Sequence, residues 1–247
     1  MAAKEIPTAR YGPRLLSRVE VAEGTIAFHF EKPPRFGFKP GQSADLTLSN
    51  PPETDAEGNT RTLSIASCPF EGQLMFATRM RDTAFKRSLK KIPLGTEVKI
   101  DQPMGSFTLH KNSSKPAVFL AGGIGITPFL SIVRQADHDR LPHRLYLFCS
   151  NRRPEDTPFL DTLQMLEKSN PNFRLICTMT KISQSKMEWK GETGLISQEM
   201  LSRHLPDLQG PVYYVAGPPA MVAGMRQMLV GANVDEDDIR TEDFAGY

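Results

Sequence analysis

The stretch Pro116-Ala-Val-Phe-Leu-Ala-Gly-Gly-Ile-Gly-Ile-Thr-Pro-Phe-Leu-Ser-Ile-Val133 decides how this chain folds. Its first part, Ala117 to Ala121, is an apolar run bounded by Pro116 and by glycines, the pattern of a buried strand. Gly122, Gly123 and Gly125 then let the backbone turn sharply and expose its N–H groups. Thr127-Pro128 reads as a helix start, with the proline pre-set for the first turn. A strand, a glycine turn and a helix N-terminus in succession can hold a pyrophosphate. The same residues can also make a tight strand-to-helix turn with no ligand. The run carries no charge, yet its glycines and internal proline suit a membrane-spanning helix poorly, so no membrane segment is expected.

Downstream, strand candidates Val118–Ala121, Leu145–Cys149, Phe173–Met179 and Val212–Ala216 alternate with helical stretches at Pro128–Gln135, Pro158–Lys168, Ser197–Leu205 and Ala220–Gly231. That alternation predicts a parallel sheet covered on both faces. In such sheets ligands bind outside the carboxyl ends of the strands. Two strands end in glycine-rich turns, Ala121-Gly122-Gly123 and Ala216-Gly217-Pro218-Pro219, and both turns belong on that edge.

Upstream the rhythm differs. Leu15–Ala22, Thr25–Phe30, Ala44–Leu48, Thr62–Ala66, Gln73–Thr78 and Glu97–Asp101 are short, alternating and punctuated by Pro and Gly. They predict an antiparallel barrel or sandwich, interrupted by one helix over Ala84–Lys91. Polar Lys111 to Lys115 reads as a linker. The fold class expected is therefore two domains, an antiparallel β-barrel over residues 1–112 and an α/β parallel-sheet domain over residues 113–247.

With 247 residues and 39% hydrophobic content, the chain can build real cores. A formal net charge of +2 implies no bulk attraction to nucleic acid. Met1 to Arg14 lacks the apolar core of a signal peptide, and a cytoplasmic location is expected. Cys68, Cys149 and Cys177 are far apart with no CxxC spacing, so neither zinc nor an iron–sulfur cluster has its ligands, and buried, reduced thiols are expected.

Arg61-Thr62-Leu63-Ser64, the Thr83–Lys86 helix start, Gly122–Pro128, Gly217–Met221 and the tail Glu242-Asp-Phe-Ala-Gly-Tyr247 stand in a fixed order. In that order they resemble the ferredoxin–NADP reductase superfamily, and the resemblance covers nearly the whole chain. It implies an oxidoreductase that carries FAD in the barrel and NADP(H) or NAD(H) in the second domain. Arg61 would meet the flavin pyrophosphate, and an arginine fork suits two-point contact with a phosphate. Ser64 would point its hydroxyl at flavin N5. Leu63 stands where the superfamily usually has a stacking tyrosine. Thr78, Met80 and Arg81 would run along the ribityl and adenosine part. Thr83 would cap a helix whose free N–H groups at Ala84, Phe85 and Lys86 point at the pyrophosphate.

Gly122, Gly123, Gly125, Thr127 and Pro128 would then hold the pyridine-nucleotide pyrophosphate, with Thr127 near the ring. Gly217, Pro218, Pro219 and Met221 would lie against the nicotinamide. Ala216 stands where many members have cysteine. Ser150, Asn151 and Arg152 after one strand, with Thr180 and Lys181 after another, would meet the adenosine end. Their hydroxyls and cations, with no acidic residue directly after either strand, favour NADPH over NADH. Phe244 and Tyr247 are both candidates to cover the flavin. Glu242 could relay a proton, although a solvated carboxylate is the simpler expectation.

The activity implied is hydride transfer from reduced pyridine nucleotide to flavin N5, with Ser64 and Phe244 at the reacting rings. A separate one-electron acceptor would follow: ferredoxin, flavodoxin or an oxygenase component. An NADH-dependent reductase component of an oxygenase or dehydrogenase system is the alternative enzyme, and a non-catalytic flavin-binding scaffold, suggested by Leu63 and Ala216, is the other. The basic residues between Arg79 and Lys91 are either a solvated face or a docking patch for an acidic electron-transfer protein.

Overall fold

The computed structural model describes residues 10–244. The first half contains β1 (Leu15–Ala22), β2 (Thr25–Glu31), β3 (Ser43–Thr47), β4 (Thr60–Ser64), β5 (Gln73–Arg79), helix α1 (Ala84–Lys91) and β6 (Lys99–Ile100). Two antiparallel three-stranded sheets, ordered β1-β2-β5 and β4-β3-β6, enclose one core. Phe28 and Phe30 on β2 enter this core, while Ala27 on the other face of the strand is buried in the core shared with the second half. Phe30 meets Phe76 edge to face at 6.0 Å between ring centroids. Phe85 and Leu89, buried on α1, stand one turn apart and seal the same core.

The second half contains β7 (Ala117–Gly122), α2 (Ile126–His138), β8 (Leu145–Asn151), α3 (Leu160–Ser169), β9 (Phe173–Met179), β10 (Glu192–Thr193), α4 (Gln198–His204), β11 (Val212–Gly217), α5 (Pro219–Gly231) and β12 (Ile239–Asp243). They form one parallel six-stranded sheet, ordered β10-β9-β8-β7-β11-β12. Every residue of β7 is buried: Ala117, Phe119 and Ala121 enter the core on one face, Val118 and Leu120 the core on the other. Burial on both faces is why this strand reads as an unbroken apolar run. The strand order makes the neighbouring β7 and β11 deliver their two glycine turns to the same edge, as expected.

Two local expectations are corrected. A short 3₁₀ turn over Gly123–Gly125 precedes α2, and Gly125 caps it, so the helix starts before Thr127-Pro128. Pro128 still lies in the first turn, where its missing N–H removes no intrahelical bond. Cys149 and Cys177 are not reduced thiols: they are joined in a disulfide, while Cys68 is free and buried. They are register partners on β8 and β9, with Cα atoms 4.5 Å apart, a pairing that a sequence separation of 28 conceals. Among the described residues, no helix is long and apolar enough to cross a membrane.

The halves are fastened together through α2. Ser131 Oγ donates to Ser67 O at 2.7 Å, and Cys68 Sγ lies 3.5 Å from Ser131 O, all of it buried. Arg134 makes a two-point ion pair with Glu71 at 2.8 and 3.2 Å. Farther along, Tyr214 on β11 takes the His110 backbone N–H at 2.8 Å. These contacts hold α2 and β11 of the second half against residues 67–71 and His110 of the first.

Candidate functional site

A cavity of about 480 Å³ opens where the two halves meet. β4 supplies Arg61, Thr62, Leu63 and Ser64 to its wall; β5 supplies Thr78; the start of α1 supplies Thr83, Phe85 and Lys86. The opposite side is Glu242, Asp243 and Phe244 from the end of β12. Residues from the first half of the chain and from its last strand thus share one chamber. The Ser64 hydroxyl is buried there with no hydrogen-bond partner. An orphaned buried hydroxyl is costly unless something else satisfies it, so Ser64 fits a site that receives a polar ligand atom. Thr78 Oγ1 leans on Arg79 O at 3.4 Å. Met80 packs against the core of the first half and Arg81 is exposed, and neither lines this cavity.

The α1 N-terminus differs from expectation. Thr83 caps the helix by accepting the Lys86 N–H, and the Ala84 N–H donates to Asp55 Oδ2 at 3.1 Å. Two of the three amides expected to be free are therefore engaged. Arg61 is engaged as well: it donates to Glu57 Oε2 at 2.8 Å and to the carbonyls of Glu57, Gly58 and Thr60, and it lies 5.1 Å from the Phe85 ring centroid. The Lys86 ammonium is drawn down to a pKa of about 8, first by burial and then by Arg81 and Arg61.

Glu242 is not a solvated carboxylate. It is half-buried, its Oε2 is shielded and unpartnered, and burial pushes its pKa up to about 7. The group therefore takes a proton in the folded state that it lacks in the unfolded state between about pH 4.5 and 7. Since the folded pKa is raised, stability should fall as pH rises through this window. Glu242→Gln is expected to flatten that fall and to raise the melting temperature at pH 8 by roughly a few degrees. Thermal melts from pH 5 to 8 check this; a parallel shift at every pH would contradict it.

The glycine turns touch each other. A Cβ on Gly125 would lie 2.3 Å from Ala216 O, and one on Gly217 only 3.0 Å from Gly122 Cα. Met221 packs over Gly122, whose own Cβ would meet the Met221 sulfur at 2.3 Å. Gly123 has φ +54° with open space before it, so its backbone, not its surroundings, asks for glycine. Pro218 and Pro219 are exposed at the start of α5. Thr127 is buried, and its hydroxyl donates to Ile124 O at 3.0 Å, so it serves the turn instead of facing outward. The two turns are tied to the cavity by β12: Asp243 is the register partner of Gly217, and the Phe244 N–H donates to Gly217 O at 2.9 Å. Tyr247, the other candidate cover, lies outside the described residues.

At the far end of the same edge, the strand ends of β8 and β9 are stitched together. Thr180 N–H donates to Asn151 O at 2.9 Å and Lys181 N–H to Arg152 O at 2.8 Å. Arg152 and Lys181 are exposed, and Ser150 is half-exposed beside them. Asn151 is buried with both side-chain amide atoms unpartnered. The residues expected at an adenosine end are thus brought side by side.

Residues 119–227 match the oxidoreductase NAD-binding domain family. The glycine betaine monooxygenase reductase subunit of Chromohalobacter salexigens is 28% identical over 223 residues, covering 89% of this chain and 60% of that protein. The propane 2-monooxygenase reductase component of Mycolicibacterium smegmatis is 27% identical over 228 residues, covering 86% and 61%. The chain therefore spans about 60% of the length of these curated relatives. Among solved structures, a ferredoxin NADP⁺ reductase from Neisseria gonorrhoeae with bound FAD and NADP superposes with a TM-score of 0.78 at 21% identity, covering 95% of this chain and 98% of that one. An Amycolatopsis cytochrome P450 reductase gives a TM-score of 0.82 at 20% identity, covering 96% and 70%. The two-domain architecture expected from the sequence is the fold these structures share.

Proposed function

We propose, from the premise that this chain belongs to the ferredoxin–NADP reductase superfamily, that it is a reductase module which takes electrons from NAD(P)H through FAD to a separate acceptor. The observation that carries this is the segment Glu242-Asp243-Phe244, which walls the cavity beside Ser64 and also hydrogen-bonds the second glycine turn. One short stretch thus joins a flavin-sized chamber to a phosphate-type edge. The relatives are named as reductase components of monooxygenases, which supports an oxygenase component as the acceptor, ahead of ferredoxin or flavodoxin.

FAD would be held by Arg61, Ser64, Thr78 and the α1 start, with Leu63 against the ring. A bound flavin supplies the conversion between a two-electron donor and a one-electron acceptor. The chain's own part is positional. The Ser64 hydroxyl offers one donor and two acceptor lone pairs in a buried position, where each is worth more than in water. Glu242 keeps a proton near neutral pH at the same wall. Phe244 closes the pocket with an apolar face and excludes water. Gly122 to Gly125 and Gly217 let a dinucleotide backbone approach the sheet edge, and their close packing sets the spacing of the two halves of the site.

Purified protein supplied with FAD should bleach at the flavin absorbance when NADPH or NADH is added without oxygen. Bound FAD that neither nucleotide reduces would defeat the proposal. NADPH should give the higher kcat/KM. Arg152→Ala and Lys181→Ala should each cost NADPH roughly tenfold to a hundredfold and barely change NADH, because only NADPH carries the extra dianion. A wild-type preference for NADH that Arg152→Ala leaves unchanged would remove the 2′-phosphate role.

A further inference from the structure

The loop between β3 and β4 holds an acidic turn at the mouth of the cavity. Its ends are fixed. Glu53 accepts from Arg87 Nε and Nη2 at 2.9 and 2.6 Å, and its carbonyl takes the Ser88 hydroxyl at 3.1 Å. Asn59 Nδ2 donates to Leu48 O at 2.6 Å. Between these anchors residues 54–57 are exposed, with Gly58 turning the chain at φ +72°.

The turn's two carboxylates reach the groups that an anionic ligand would need. Asp55 Oδ2 accepts the Ala84 N–H at the α1 N-terminus, and Asp55 Oδ1 lies 3.6 Å from Arg61 Nη2. Glu57 Oε2 accepts from the same Arg61 nitrogen at 2.8 Å. A carboxylate between a helix N-terminus and a guanidinium is chemically a substitute for a phosphate. In the same cavity, Ser64 is 4% exposed and its hydroxyl is buried without a partner, so the ligand's place continues past the carboxylates.

We propose that the Asp55–Glu57 turn is a built-in anion that competes with the flavin phosphates for Arg61 and the N-terminus of α1. This rests on the flavin site proposed above. Binding is then an exchange of carboxylate for phosphate, and much of the favourable charge contact already exists before flavin arrives. Flavin affinity is set low by design of the loop, and flavin is exchangeable.

The test compares wild type with Asp55→Asn/Glu57→Gln by quenching of flavin fluorescence, using FAD, FMN and riboflavin. The double variant should lower the Kd for FAD and FMN at least roughly tenfold, and leave riboflavin, which has no phosphate, unchanged. Unchanged or weaker FAD affinity, or an equal gain for riboflavin, overturns the competition. Wild-type protein gives a second readout that needs no variant. Adding FAD should speed amide exchange in residues 54–58 while slowing it in residues 62–64; slowing in both overturns the proposal. If FAD binds neither wild type nor variant, the flavin site itself fails and the competition with it; FAD binding that Arg61→Ala weakens but the double variant leaves unchanged condemns the competition alone.

Discussion

Gly125→Val is expected to abolish reduction by pyridine nucleotide while leaving flavin bound. Even a Cβ at this position would sit 2.3 Å from Ala216 O and 2.8 Å from Gly217 N, so the strain falls on backbone that cannot rotate away. Overpacking of this kind costs about 1–3 kcal/mol, and here it is relieved by pushing apart the turns that end β7 and β11. The expected loss is roughly a hundredfold or more in kcat/KM for NAD(P)H, the rate equivalent of the upper part of that range. The residues proposed to hold flavin, on β4, β5 and α1, are untouched. Stopped-flow reduction with dithionite and with NADPH separates the two effects: equal rates for the variant and wild type with both reductants would move the nucleotide elsewhere. Gly123→Val is a weaker choice, because its side-chain space is open and only the left-handed backbone resists.

Arg61→Ala should weaken FAD binding by about 1–3 kcal/mol, or roughly tenfold to a hundredfold, the range for a charge-assisted contact. Two things add up at this site. The guanidinium fork is lost, and Asp55 and Glu57, which it neutralises at 3.6 and 2.8 Å, are left facing the phosphates with one cation fewer. The loss should therefore be larger for FAD and FMN than for riboflavin. Equilibrium titration followed by flavin fluorescence measures it; undiminished affinity would remove Arg61 from the site.

What was legible in the sequence was whatever is encoded locally. The β7 run, the glycine turns and the Thr83 cap each follow from neighbours in the chain, and the structure builds them within a few residues of expectation. What was hidden depends on residues far apart. Cys149 and Cys177 become partners only once β8 and β9 pair in register. Asp55 meets Ala84 across 29 positions, and nothing in Asp55-Ala-Glu57-Gly58 says where its turn will point, although an acidic turn just before Arg61 was a signal available to find it. Glu242 looks like a surface carboxylate near a chain end until β12 is laid beside β11 and its Oε2 loses contact with water.

The fastening through α2 bears on how molecules enter and leave. Prising the halves apart would expose the Ser131–Ser67 bond and the Arg134–Glu71 pair, at about 1 kcal/mol or more for each contact broken, together with the apolar surface around them. Swinging an aromatic ring at the end of β12 costs a rotamer, about 0.5–1.5 kcal/mol even when it is pushed off its preferred angle. On the function proposed above, a flat ring would pass more cheaply by a door than by a clamshell, and the proposed door is Phe244, whose backbone N–H is hung on Gly217 O.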